Sequence, residues 1–343
     1  MNTPGSDESS SIGQAGERAL IERIRQRFPT PPGVLHTGIG DDAAVAAGIR
    51  GELQVLTTDV LVEGVHFDLA FSSLADVGYK ALAVNVSDIA AMGATPRLAL
   101  LSLILPDRLT VGEIDRLIDG FAELASASGV TLAGGNIARS PGPLVIDVTA
   151  IGDVRPRRAL TRGGGRPGDE LYVTGSIGTA AAGLGWLRAN RGGAGSEPPE
   201  VASLTARHRR PVPRLRVGVI LGRTRTATAC MDLSDGLADA VTAIARASGT
   251  GAIIDGHAIP IEEPVRVWFR EQGQDPLRAA LAGGDDYELL FAVSPRRRGR
   301  LRTVIRQARG LPVTRIGELT AAPAILLRTD GATEPLPAGF THF

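Results

Sequence analysis

The chain has 343 residues, 43% of them hydrophobic and 22% charged, and its 37 basic and 37 acidic side chains give zero formal charge. That length suggests about two domains of ordinary globular composition, and the charge balance argues against a nucleic-acid binder working through bulk charge. The one cysteine, Cys230, excludes an intrachain disulfide and a cysteine-based zinc site.

Residues 1–16, rich in Ser and Gly, read as a disordered tail without the apolar centre of a signal peptide. Glu17 to Phe28 carries Ala19, Leu20 and Ile24 at helical spacing and is stopped by the Pro/Gly run at 29–33. Leu53 to Thr58 predicts a strand, and Leu74 to Ala83 and Val111 to Ser128 predict helices. Leu98 to Leu105, the longest apolar run, ends at Pro106 and suits a buried strand; no run reaches the ~18 residues of a membrane span. The expected location is the cytoplasm. Leu144 to Val154 is β-rich, and Arg155 to Gly168 reads as a domain boundary. Leu171 to Thr174 is a strand entering the turn Gly175–Gly178 and an Ala-rich helix. Arg188 to Ala202 reads as a surface loop, Leu237 to Ser248 as a helix and Glu288 to Val293 as a strand. The alternation predicts an α/β or α+β fold with domains at 17–155 and 156–343.

A weak echo links Val84–Asp88 with Met231–Asp235, and Leu132–Asn136 with Leu281–Asp285; the separations Asp88 to Asn136 and Asp235 to Asp285 are 48 and 50 residues. It suggests two related halves, against chance similarity of Gly-rich turns.

Acidic residues recur in short segments framed by Gly, Ser or Thr. These are Gly40-Asp41-Asp42, Thr57-Thr58-Asp59, Ser87-Asp88, Asp232-Leu233-Ser234-Asp235 and Gly284-Asp285-Asp286. Several follow apolar runs, which predicts positions at strand ends, where open α/β sheets bind ligands. Carboxylates suit Mg2+, which takes one or two of them with phosphate oxygens and water. Any one such Asp is also a common cap or turn residue; five segments together point to a metal-phosphate site.

Other phosphate signals are weaker. Lys80, the only lysine, lacks the glycines of a Walker A loop. Gly38–Ala43 matches the dinucleotide fingerprint, but Asp41 and Asp42 would stand where a pyrophosphate needs positive dipoles. Gly175–Gly178 reads as an anion-binding turn or a plain strand-to-helix connection. Arg162 offers a planar fork for phosphate or is an ordinary surface arginine. His66 has no partners at triad or zinc spacing. Lys80 is placed to reach phosphate or Asp76, and Cys230 reads as a small buried residue.

Together these segments resemble thiamine-monophosphate kinase, in the superfamily that includes aminoimidazole ribonucleotide synthetase. The matching strings are GIGDDAAV from 38, TTDVLVEGVHF from 57, YKALAVNVSDIAAMGATP from 79, LAGGN from 132, RALTRGGGRPGDELYVTG from 158, DLSDGL from 232, GGDDYEL from 283 and IGELT from 316. They cover nearly all of the chain after residue 17, in the family's order. The resemblance implies an N-terminal α/β domain contributing to a barrel at a homodimer interface, and a C-terminal α/β domain. It implies transfer of the γ-phosphoryl group of ATP to thiamine monophosphate, with several Mg2+ ions and without nucleic acid or membrane; a monovalent cation is left open. By motif, Asp42, Thr57, Thr58, Asp59, Asp88, Asn136, Asp232 and Asp235 would be metal ligands, with Asp88, Asp232 and Asp235 catalytic. Gly135, Asn136, Arg162 and Ser234 would lie near the nucleotide, and His66, Asp285 and Phe340 near thiamine monophosphate.

Three residues depart from the pattern. Asn136 stands where Asp is frequent, Asp285 where Glu is common, and Pro337 where some relatives carry an aromatic; Phe340 offers the cationic thiamine ring a face instead. The acceptor is already a phosphate, so no strong general base is required. Rival readings are another ATP-dependent synthetase of the superfamily, a catalytically silent binder, and an Asp-based phosphohydrolase. Selenophosphate synthetase and the hydrogenase-maturation relative are disfavoured for want of their cysteines.

Overall fold

In a computed structural model of the chain the described residues are 17–28, 35–37, 39, 45–46, 48–191 and 197–339. The expected tail, Asp42 and Phe340 lie outside them. The described residues divide into two compact units, falling within Met1–Ile89 with Pro96–Asp153, and Ala90–Thr95 with Val154–Phe343.

The first unit contains α1 (Glu17–Arg27), the short pair β1 (Leu35–Thr37) and β2 (Val45–Ala46), β3 (Leu53–Val62), α2 (Leu74–Ala91), β4 (Thr95–Pro106), α3 (Val111–Ser128), β5 (Thr131–Ser140) and β6 (Val145–Val154). Its main sheet has the order β3-β6-β4-β5, with β4 and β5 parallel through the crossover helix α3. That helix starts where its sequence says it should. Thr110 and Glu113 form a capping box, the Glu113 N–H donating to Thr110 Oγ1 at 3.3 Å and the Thr110 N–H to Glu113 Oε2 at 2.8 Å. It ends at Gly129 in the left-handed conformation. α1 docks on α3 through buried Leu20 and Ile24, and Arg27 pairs with Asp119 at 2.8 Å. On β6, Ile146, Val148 and Ala150 are fully buried while Val145, Asp147, Thr149 and Ile151 between them are half-buried. One face of this sheet therefore packs on helices, and strand periodicity puts the intervening residues on the other.

The second unit contains β7 (Glu170–Thr174), α4 (Thr179–Ala189), α5 (Pro199–Arg209), α6 (Leu215–Thr224), β8 (Ala227–Asp232), α7 (Leu237–Ser248), β9 (Gly251–Asp255), α8 (Glu263–Glu271), α9 (Pro276–Ala282), β10 (Leu289–Val293), α10 (Arg298–Gln307), β11 (Val313–Thr320), β12 (Ile325–Thr329) and β13 (Ala332–Pro335). Its seven strands run in the order β13-β12-β9-β11-β7-β10-β8, antiparallel except for the β9–β12 pair. Every residue of β7 and β10 is buried, because both faces are covered. Leu171, Val173, Leu290 and Ala292 pack with α4, α7, α8 and α9, whereas Tyr172, Leu289, Phe291 and Val293 pack with α6 and α10.

Several expectations change here. The helix expected at 74–83 runs on to Ala91, because the Ala/Val sequence through Asp88 keeps helical spacing. The loop expected at 188–202 gives way to α5 at Pro199, a residue preorganised for a helix's first turn. The sequence echo does not extend to local structure: Val84–Asp88 lies within α2, whereas Met231–Asp235 runs from a strand into a turn.

Candidate active site

In the first unit β3 is the organising element. Thr57 and Asp59 are half-buried while Thr58 and Val60 are exposed, as alternation along a strand requires. Thr57 Oγ1 donates to Asp88 Oδ2 at 2.5 Å, tying β3 to α2. Asp88 stands in the last turn of that helix, which holds no basic residue. A carboxylate beside the negative end of a helix dipole is disfavoured by roughly 0.3–1 kcal/mol, and a bound cation would relieve this. Thr58 turns the other way: its hydroxyl meets Asp147 Oδ1 at 3.0 Å and accepts from Thr149 Oγ1 at 3.2 Å. The expectation that the acids sit at strand ends fails for Thr57–Asp59, which is mid-strand, and for Asp88, which is helical; it holds for Asp232, the last residue of β8.

Gly135 and Asn136 lie on β5, at the opposite edge of the sheet from Thr57–Asp59 with β6 and β4 between. Gly135 is required by the fold, since a Cβ there would overlap the Leu101 carbonyl of β4. Asn136 is exposed opposite Ser102. His66, in the turn after β3, accepts the Val62 N–H on Nδ1 at 3.1 Å, which puts the neutral ring's proton on Nε2. The buried Lys80 donates to the His66 carbonyl at 3.4 Å, and Asp76 accepts from the Ser73 hydroxyl at 2.7 Å.

In the second unit two acidic segments are joined through their backbones. The Asp285 N–H donates to the Ser234 carbonyl at 2.7 Å, Tyr287 N–H to Leu233 O at 3.0 Å and Leu233 N–H to Glu288 O at 2.9 Å. Asp232, Ser234, Asp235 and Asp285 are thereby gathered where β8 ends and just before β10 begins. Asp232 is buried, and Asp235 and Ser234 are half-buried. Arg162, exposed, lies close enough to lower the pKa of Asp239 in the first turn of α7. Burial first, then the charge of Asp235, raise that carboxyl above the ordinary range. Gly339 lies against Asp239, so the chain approaches this edge just before Phe340.

Of the buried groups beside this site, Asp286 belongs to an acidic segment expected to bind metal and serves a helix start instead, whereas the sequence pattern gives Glu288 and His208 no role of their own. Asp286 accepts the N–H groups of Gly178 at 2.7 Å and Ala180 at 3.1 Å, so the turn at Gly175–Gly178 is filled by the protein's own anion. Burial pushes the Asp286 carboxyl up to about 7 against these two donors. Glu288 is fully buried; Arg214 pairs with it, its Nε donating at 2.6 Å, Arg207 donates at 2.9 Å and Thr174 Oγ1 at 2.6 Å. Gly175 must be glycine because a Cβ would overlap the Glu288 carboxylate. His208 places Nδ1 3.4 Å from Asp285 Oδ2, a close polar approach that is not an aligned hydrogen bond. Cys230 is buried in the sheet core, where burial pushes its thiol up. Arg207 and His208 are about 80 residues from their partners, so spacing carries no signal for them.

Among the described residues no three His, Cys, Asp or Glu side chains form a ready metal cage. The donor chemistry still suits Mg2+, since each unit offers hard oxygens, Thr57 with Asp88 and Asp232 with Asp235, and Mg2+ completes its shell with phosphate and water. No described helix is long and apolar enough to cross a membrane.

Comparison with known proteins fixes the class. The family described as AIR synthase related protein, N-terminal domain, matches residues 40–154, and its C-terminal domain counterpart matches 166–328. The chain is thus a two-domain protein of the AIR synthase-related fold. Thiamine-monophosphate kinase of Bacillus subtilis is 37% identical over 324 residues, covering 92% of this chain and 97% of the relative. A crystal structure of thiamine-monophosphate kinase from Stenotrophomonas maltophilia superimposes with a TM-score of 0.81 at 36% identity, covering 91% and 96% of the two chains. AaThiL complexed with AMPPCP and TMP gives a TM-score of 0.76 at 32% identity, covering 96% and 98%. This chain belongs to the thiamine-monophosphate kinase family.

Proposed function

We propose that the chain transfers the γ-phosphoryl group of ATP directly to thiamine monophosphate, giving thiamine diphosphate and ADP, with Mg2+ as the resident cation. The observation that carries this reading is the convergence of Asp232, Ser234, Asp235 and Asp285 where β8 ends and just before β10 begins, on a chain whose relative AaThiL was solved with AMPPCP and TMP. In the first unit Thr57, Thr58, Asp59, Asp88 and Asn136, and in the second Asp232 and Asp235, would be ligands to Mg2+ ions; Asp42, also expected as a ligand, lies outside the described residues, and the Thr58 hydroxyl meets Asp147. Bound Mg2+ would neutralise phosphate charge on donor and acceptor.

The chain's own residues do the positioning. Gly135 and Asn136 of the first unit, and Ser234 and Arg162 of the second, are read as nucleotide-binding residues, with Arg162 offering the planar fork that suits phosphate oxygens. His66 of the first unit and Asp285 of the second are each read as groups that recognise thiamine monophosphate; Phe340, the third such expectation, lies outside the described residues. The attacking group is a phosphate oxygen, already anionic, so no side chain need remove a proton, and alignment carries most of the rate.

Residues 17–155 would form the ATP- and Mg2+-binding and dimerisation domain and residues 156–343 the C-terminal α/β domain, in the cytoplasm. The homodimer is supported by the uncovered face of the first unit's sheet, where Leu56 is 65%, Val60 46% and Leu100 38% exposed. A second copy would cover that face.

The test is product analysis with purified protein, Mg2+, ATP and thiamine monophosphate. Thiamine diphosphate and ADP in equal amounts are expected. Release of free phosphate alone, or no turnover, overturns the reading. Exchanging the salt cation in the same assay decides whether a monovalent ion assists.

A further inference from the structure

The segment Gly283–Leu289 carries three acids, and the protein uses two of them internally. Asp286 caps α4, and Glu288 is enclosed by Thr174, Arg207 and Arg214. Only Asp285 keeps a solvent-facing carboxylate, with 31% of its side chain exposed.

That carboxylate is approached from two sides. Tyr287 donates its hydroxyl to Oδ1 at 3.2 Å, and the His208 ring, 3% exposed, faces Oδ2 at 3.4 Å. The backbone under it is constrained too. Asp285 and Tyr287 have φ of 67° and 49°, in the left-handed region that a tyrosine rarely enters. Both N–H groups are held by the Leu233–Ser234 turn. Neighbouring positions of α5 reach two acids of the segment, Arg207 to Glu288 and His208 to Asp285. A glutamate could adjust its reach through an extra torsion, whereas an aspartate presents its charge where backbone and neighbours put it.

We infer that His208 is a positioning residue which, with Tyr287, fixes where Asp285 presents its carboxylate to thiamine monophosphate. The inference rests on the reading of Asp285 as a substrate-facing residue. Fixing one acceptor-binding group should act on acceptor recognition and leave the nucleotide alone, because small displacements of a positioned group have large kinetic effects.

Steady-state kinetics of the full chain test this with His208→Phe, His208→Asn, Tyr287→Phe and Asp285→Asn, alone and combined. His208→Phe keeps the ring's bulk and removes its nitrogens. It is expected to raise the KM for thiamine monophosphate about five- to tenfold, the effect of one lost polar contact to a charged group, and to leave the KM for ATP within about twofold. His208→Asn, which keeps an N–H, should restore most of the loss. In the Asp285→Asn background His208→Phe should add nothing, the signature of residues acting as one unit. Equal changes in both KM values, or full additivity with Asp285→Asn, would falsify the inference and leave His208 a packing residue. Should His208→Phe not fold, Tyr287→Phe on the other oxygen decides by the same criteria. A wild type that does not turn over thiamine monophosphate defeats the functional reading instead; normal turnover with unchanged acceptor KM in both phenylalanine variants defeats only this inference.

Discussion

The two sheets bury their strands differently, and the polar chemistry follows that difference. In the first unit β3 has one covered face and alternates, leaving Leu56, Thr58 and Val60 outward and Thr57 and Asp59 inward. In the second, β7 and β10 are covered on both faces and carry no exposed residue. On β3 even the inward positions Thr57 and Asp59 are only half-buried, so polar groups are tolerated along the strand itself. β7 and β10, buried on both faces, leave polar groups to the turns beyond their ends, where a buried acid is tolerated only with partners. Hence Asp59 sits mid-strand, whereas Asp232 ends a strand, Asp285 sits just before one, and Asp286 and Glu288 are fully engaged.

The largest expected effect is on the enclosed acid of the second unit. Glu288→Ala leaves Arg207 and Arg214 without their shared carboxylate and should cost about 3–5 kcal/mol of stability in denaturant unfolding. A loss below about 1 kcal/mol would mean the two arginines relax to water and the contrast between the sheets is overstated.

Asp286 tests burial against hydrogen bonding. Its folded pKa of about 7 lies above the ordinary 3.8, so the native state holds the proton more tightly. Its stabilising contribution is complete below about pH 4 and is lost as pH rises through about 7, by at most about 4 kcal/mol. The difference in unfolding free energy between wild type and Asp286→Asn should therefore shift in the variant's favour from pH 4 to 8. A shift the other way would show that the Gly178 and Ala180 amides outweigh burial.

In the first unit Asp88→Asn should retain the fold and lower turnover at least about 100-fold, roughly 2.7 kcal/mol of transition-state stabilisation. Near-normal turnover would reduce Asp88 to the partner of Thr57. The smallest effect concerns the free face. Leu56→Ser should weaken self-association by about 1–2 kcal/mol, read by sedimentation at micromolar protein. A monomeric wild type would remove the reason proposed for that apolar face.

Local chemistry made much of this molecule legible in the sequence. The bounds of α3 and the apolar runs of β4 and β10 each depend on residues a few positions apart. The ordered strings around the aspartates carried the family, because a metal-phosphate site fixes both residue types and spacing. Asp88 falls in a helix rather than at a strand end, since an apolar Ala/Val run suits a buried strand or a buried helix equally until length decides. The tertiary structure alone decided which acids face outward and which are enclosed. Asp285, Asp286 and Glu288 look equivalent in sequence. They separate only because Gly178, Arg207, His208 and Arg214, about 70 to 110 residues away, are brought against them by the antiparallel pairing of β10 with β7 and β8 and the helices around it.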